Sequence, residues 1–210
     1  DYLRPAAWVP TVYFAMGTVY ITATTLPTIF YKNLGLTNAE AAAYASSLAL
    51  AYVIKPLWAP LLEIYATRKF FVVLMQFVLA AALTALAFAL KMPGRGFLLP
   101  SYIALNVVAF AGATMDIGSD GVYVTTLRPK VQAFFAGMQS MFWSIGPIVA
   151  SGVLVTLSGT IFKKTGSYHD AWFQVTLILA AILLTIGIYH SFLLPSGEKS
   201  KDAPKSAAEA

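Results

Sequence analysis

Cysteine is absent from the 210 residues, which excludes disulfides and thiolate metal sites. Charge is scarce too: Asp, Glu, Lys and Arg together make up 11%, where soluble domains carry roughly 25%. A single water-soluble globule is therefore a poor description of the chain. The two histidines and nine acids form no cluster with metal-ligand spacing. No nucleophile–base arrangement and no Gly-rich phosphate loop is present, so an enzyme has no support, and neither a cofactor nor a metal is implied. The net charge of +5 sits in short connections and in the tail, without a basic face or binding motif, which argues against nucleic acid. The opening residues also lack the charged region, short apolar core and cleavage site of a secretory signal.

What the chain does contain is apolar sequence. Hydrophobic residues account for 59% and the mean hydropathy is +0.72. A helix needs about 20 mostly apolar residues to cross the hydrocarbon of a bilayer. Six stretches meet that length, at about 8–31, 41–65, 70–90, 99–124, 133–161 and 171–194. The expected fold is thus an all-α polytopic membrane protein whose partner is the lipid bilayer. Residues 1–194 form a bundle of six transmembrane helices, and 195–210 form a polar, Lys-rich cytoplasmic tail or linker.

Alternate connections carry unequal positive charge, which sets orientation. One side collects Arg4, Arg68, Lys69, Arg128, Lys130, Lys199, Lys201 and Lys205; the other collects Lys32, Lys91, Arg95, Lys163 and Lys164. The richer side, with both termini, is expected in the cytoplasm.

Ionisable groups inside such stretches are costly and mark ion or substrate pathways by default. On the fourth stretch Tyr102, Asn106, Asp116, Asp120 and Tyr123 fall within an arc of about 100° at helical spacing. A carboxylate in a low-dielectric setting can exchange protons near neutrality, so Asp116 and Asp120 are the candidate proton-coupling groups. The competing reading solvates Asp120 at the membrane edge and pairs Asp116 structurally.

On the second stretch Tyr44, Tyr52 and Lys55 share a face. Lys55 is placed to hold an anionic solute or to neutralise Asp116, at similar depth by a rise of about 1.5 Å per residue. Tyr52, Asn106 and Gln139 complete the candidate solute-binding set. Glu63 and Arg68 are expected to pair at the cytoplasmic loop. Thr11, Thr18, Thr22 and Thr25 read as a packing stripe or a cavity wall; Gly137, Gly146, Pro147 and Gly152 read as points of bending or close contact. The third and sixth stretches, being the most apolar, read as lipid-facing, and His169 and His190 read as interfacial.

The run Tyr52-Val-Ile-Lys55-Pro-Leu-Trp58-Ala-Pro60-Leu61-Leu-Glu63 resembles the end of the second helix in the muropeptide permease branch of the major facilitator superfamily. That branch is related to acetyl-CoA transporters and some siderophore importers, and its pattern there is Tyr-Val-x-Lys-x-Leu-Trp-x-Pro-Leu-x-Asp. Its fourth-helix pattern, Gln-Asp-x-x-x-Asp-Ala, is similar to Met115-Asp116-Ile-Gly-Ser-Asp120-Gly121, with both acids in register. Glu63, Met115 and Gly121 depart from those patterns, and the following loop shrinks to Ala66-Thr-Arg-Lys69.

The resemblance covers six helices, one half of a major-facilitator-type fold, in which two such halves enclose the solute at mid-membrane. It implies the amino-terminal half of a secondary active transporter, a proton symporter for a bulky polar solute such as a muropeptide. The partners so implied are the solute, protons and a second six-helix half or other membrane subunits. The alternative is a non-transporting accessory or scaffold subunit of a larger membrane complex.

Overall fold

In the computed structural model of the chain, residues 3–197 are described, apart from the side chains at positions 3, 63 and 65. The expected tail beyond 197 and the Glu63 side chain lie outside the described residues. Among the described residues the fold is entirely helical. The elements are α1 (Leu3–Thr24), α2 (Leu26–Asn33), α3 (Asn38–Ile54), α4 (Ala59–Tyr65), α5 (Arg68–Leu90), α6 (Leu98–Thr126), α7 (Pro129–Pro147), α8 (Val155–Thr165) and α9 (Tyr168–Leu193). A 3-10 turn at Lys55–Leu57 joins α3 to α4, and a π-helical segment at Ile148–Leu154 joins α7 to α8.

Among the described residues, four helical runs are long and apolar enough to cross a membrane: Arg68–Leu90, Leu98–Thr126, Pro129–Thr165 and Tyr168–Leu193. The first two expected spans are helical but interrupted, and proline is the reason in each case. Proline lacks the N–H and its ring clashes with the carbonyl four residues earlier. Pro27 accordingly sits in the first turn of α2, just past a break at Thr25. Pro56 sits in the 3-10 turn, so Lys55 ends α3 instead of continuing it. Pro147 is followed by the π-helical segment, where the interruption is absorbed without ending the rod.

Caps fix the turns between the rods. Thr37 and Glu40 form a reciprocal capping box at the start of α3, with Thr37 Oγ1 accepting from the Glu40 N–H at 3.2 Å and the Thr37 N–H donating to Glu40 Oε2 at 2.9 Å. The Thr37 backbone N–H and hydroxyl hold the Glu40 carboxyl below the usual carboxylate range. Thr67 caps α5 and Ser167 caps α9 more simply, each side chain accepting from the N–H three residues on. Gly166 leaves α8 with φ of 71°, a left-handed position that a side chain would resist.

The rods alternate in direction, as two sets of end contacts show. At one end Lys69 N–H donates to Ser196 O at 3.1 Å, and the Tyr189 hydroxyl donates to Ala7 O at 2.5 Å. At the other, Arg95 meets Glu40 at 3.2 Å, Lys91 pairs with Asp170, and the Tyr31 and Ser101 hydroxyls lie 2.9 Å apart. The first end carries Arg4, Arg68, Lys69, Arg128 and Lys130, in agreement with the alternation of charge along the chain.

The core is a seam of α1 against α6, α7 and α9, and of α5 against α6 and α9. Val12, Val19, Leu79, Leu83, Leu105, Val108, Leu179 and Leu183 are buried along it. Around the outside Val53, Leu99, Ile148 and Phe192 are exposed, an apolar exterior suited to lipid or to other apolar helices. The chain is thus built as an integral membrane protein.

Two expectations change here. α5 and α9 pack together instead of facing lipid throughout, because their few polar positions point inward: Gln76 and His190 are both 0% exposed. His190 is thus enclosed by protein near the end of α9. Its Nε2 lies 2.8 Å from the Thr11 hydroxyl and its Nδ1 lies 2.8 Å from the Gln76 amide, a polar bridge across α1, α9 and α5.

Candidate functional site

α6 is the spine of the site. Asp116 and Asp120 are one turn apart, so their side chains share a face. Each carboxylate has a different partner. Lys55, swung out at the start of the 3-10 turn, pairs with Asp116 Oδ2. The pair is not sealed: the Lys55 side chain is 34% exposed and that of Asp116 17%. Trp58 braces the turn by donating from Nε1 to Thr114 Oγ1 at 3.2 Å, two residues before Asp116.

Asp120 instead accepts from the Tyr13 hydroxyl at 2.9 Å. Tyr13 is buried on α1 and its ring meets Tyr123 edge-on at 5.7 Å between centroids. Asp120 remains exposed on its other side, where a cavity of about 300 Å³ opens. Asp116, Asp120, Tyr13, Gln139, Ser140 and Trp143 line that cavity. One carboxylate is thus clamped by an ammonium, while the other is tethered by a phenol and open to a polar space. The first is held in an ion pair, and the second faces the polar side of the cavity.

The approach of α1 to α7 shapes this cavity. Gly17 and Gly146 lie at the crossing, where backbones touch: a Cβ on Gly17 would stand 2.0 Å from Trp143 O, and one on Gly146 2.4 Å from the Thr18 N–H nitrogen. Small residues let helices approach this closely. Trp143 and Gln139 are thereby carried up to α1 and α6. Tyr20 packs against Trp143 at 5.9 Å and against Tyr52 at 5.0 Å, closing the wall behind them.

The other residues expected from the sequence fall nearby or elsewhere. The Tyr52 hydroxyl is buried against α6 and faces Gly112, where a Cβ would come within 2.4 Å of it. Asn106 turns its amide back to Tyr102 O at 2.8 Å, and the Tyr102 hydroxyl lies 2.7 Å from Ser47 Oγ. Asn106 does not line the carboxylate cavity. Arg68 packs its stem over Gly121 on α6; the expected partner side chain, Glu63, lies outside the described residues. Thr18 and Thr22 are buried between helices, which fits the packing reading of the threonine stripe. Tyr13 was not singled out from sequence, since a tyrosine in an apolar helix carries no signal of which carboxylate it will meet.

Residues 10–210 match the Major Facilitator Superfamily. The chain belongs to that family. It is also similar to the anhydromuropeptide permeases of Escherichia coli strain K12 and Escherichia coli O157:H7, being 25% identical to each over 172 residues. The match takes in 80% of this chain and 33% of each relative, so the chain spans about a third of the length of these curated relatives. The Lys55–Asp116 pair and the Asp120 cavity lie on helices that pack around α1.

Proposed function

We propose that the chain is the amino-terminal half of a proton-coupled secondary transporter that moves a bulky polar solute, such as a muropeptide, across a bacterial inner membrane. The observation that carries this is the cavity holding Asp116, Asp120 and Gln139 inside a superfamily helix bundle. The name of the permease relatives supports the solute class. In this reading all six segments cross the bilayer, 1–194 is the bundle, 195–210 begins a cytoplasmic linker, and both termini are cytoplasmic. A second six-helix half, or other membrane subunits, covers the open face on which Met141 and Trp143 are exposed.

Asp116 and Asp120 then act as the coupling carboxylates. Protonation of Asp116 releases the Lys55 ammonium, which becomes free to hold an anionic group of the solute. Gln139 contacts the polar solute, and Arg68 with Glu63 steadies the cytoplasmic loop. No catalytic chemistry is required. The test is uptake by the full-length protein in liposomes under an inward proton gradient. Asp116→Asn should abolish gradient-driven uptake while insertion is unchanged; uptake with unaltered pH dependence rejects the coupling role.

The Lys55–Asp116 ion pair itself favours a second reading, a scaffold subunit in which the pair only clamps the bundle. Neutralising either residue would then lower stability in a protein that transports nothing and co-purifies with foreign subunits.

A further inference from the structure

A second cavity, of about 1060 Å³, opens at the bundle end that carries Arg68 and Lys69, between the start of α1, the α6–α7 junction and the end of α9. Arg4, Arg128 and Lys130 line it, with Trp8, Leu127 and Phe192 among its apolar walls. None of the described residues lining it is acidic. Three cations elsewhere are paired with acids: Lys55 with Asp116, Lys91 with Asp170 and Arg95 with Glu40. Among the described residues, Arg4, Arg128 and Lys130 make no ion pair, yet all three converge on one space.

The junction below them is held in a way that keeps it positive. Gln132 Nε2 donates to Val124 O at 3.0 Å and to Leu127 O at 2.7 Å, so carbonyls at the end of α6 are satisfied internally. The Tyr123 hydroxyl donates to Gln132 O at 2.7 Å and locks the same corner. The first turn of the 19-residue α7 faces the cavity through Lys130 and Val131. A helix start carries partial positive charge. Three cations and this positive end therefore surround a space whose remaining wall is apolar.

We propose that this cavity binds the phosphate headgroup of an anionic phospholipid from the surrounding membrane. Phosphate oxygens suit guanidinium and ammonium donors, and basic pockets between membrane helices are suited to acidic headgroups. The apolar wall argues for a lipid over a free anion: Phe192, 82% exposed at the cavity, offers contact to glycerol and acyl carbons that a hydrated inorganic ion would not use. The site lies at the opposite end of α1 from Tyr31 and apart from the carboxylate cavity, so it serves the fold or its regulation and not the solute.

The test uses the full-length protein in phosphatidylcholine nanodiscs with and without phosphatidylglycerol, read by native mass spectrometry. Phosphatidylglycerol should remain bound to the wild type, and the double variant Arg128→Gln with Lys130→Gln should bind it roughly tenfold more weakly, equivalent to about 1.4 kcal/mol. Lys32→Gln, at the far end, should bind it as the wild type does. Should the double variant fail to fold, Arg4→Gln alone, away from the junction, should still weaken binding several-fold. Equal retention by these variants, equal retention of phosphatidylcholine, or full displacement by inorganic phosphate would each overturn the proposal, the last by assigning the site to a soluble anion.

Discussion

The ammonium of Lys55 is paired with the carboxylate of Asp116, tying a proline-made turn in the second segment to the middle of α6. The turn is what allows it. Were α3 to continue as a regular helix, Pro56 would clash with the preceding turn, and the lysine would keep its place on a helix face. The structural break and the charge pair are thus one feature.

Because the pair is 34% and 17% exposed, its loss should cost less than the about 3–5 kcal/mol of a fully buried bridge. Lys55→Met and Asp116→Asn should each lower thermal stability by about 1–2 kcal/mol, and the double variant should recover part of that, with a coupling of about 1 kcal/mol. Melting of the purified protein across the four-member cycle checks this. Strict additivity would mean that the two side chains do not support each other.

Tyr13→Phe removes the donor to Asp120 and leaves the ring packed against Tyr123. The fold should lose only about 1 kcal/mol, the net worth of one hydrogen bond. If Asp120 carries protons, the pH profile of uptake should move while the amount of inserted protein stays the same. An unchanged profile would show that the phenol serves packing alone.

Much of this arrangement was legible in the sequence, and the reasons differ by residue. Asp116, Asp120 and Lys55 stood out because charge in an apolar run is costly, and their spacing put both acids on one face. Depth put Lys55 level with Asp116 but left open whether the ammonium meets the acid or a solute. Prolines at 27 and 56 are visible in the sequence, yet whether a proline kinks, ends or merely tightens a helix depends on packing that the sequence does not display. Tyr13 and His190 were missed for a related reason. Their polar atoms are satisfied by residues 107 and 114 positions away, at Asp120 and Gln76, and no local pattern reports such contacts. The apolarity of α5 and α9 suggested lipid, whereas a single buried Gln–His contact turns one face of each inward.

The crossing of α1 and α7 offers a steric test. Gly17→Ala would place a methyl 2.0 Å from Trp143 O, and the obstacle is backbone, which cannot swing aside. Overpacking of this kind costs typically about 1–3 kcal/mol, occasionally more, and should outweigh the roughly 1 kcal/mol that alanine gains over glycine within a helix. Gly137→Ala, which meets no atom of this chain within 4 Å, should be neutral or mildly stabilising. Melting temperatures of the two variants separate the cases, and equal values would place the helices farther apart than described.

His190 supplies the last test, because it is polar, fully buried and shared by three helices. Its ring reaches Thr11 on α1 and Gln76 on α5 from its own position near the end of α9. His190→Leu would fill the space but leave the buried Gln76 amide without its partner, at about 1–3 kcal/mol, while Thr11 keeps its bond to Trp8 O. His190→Gln keeps a donor and an acceptor, so it should restore a large part of the loss. Thermal melting in detergent should therefore rank wild type above His190→Gln and His190→Gln above His190→Leu. Should leucine prove as stable as histidine, the contact would be incidental, and the docking of α9 would rest on its apolar face, Leu179 and Leu183 against α5, alone.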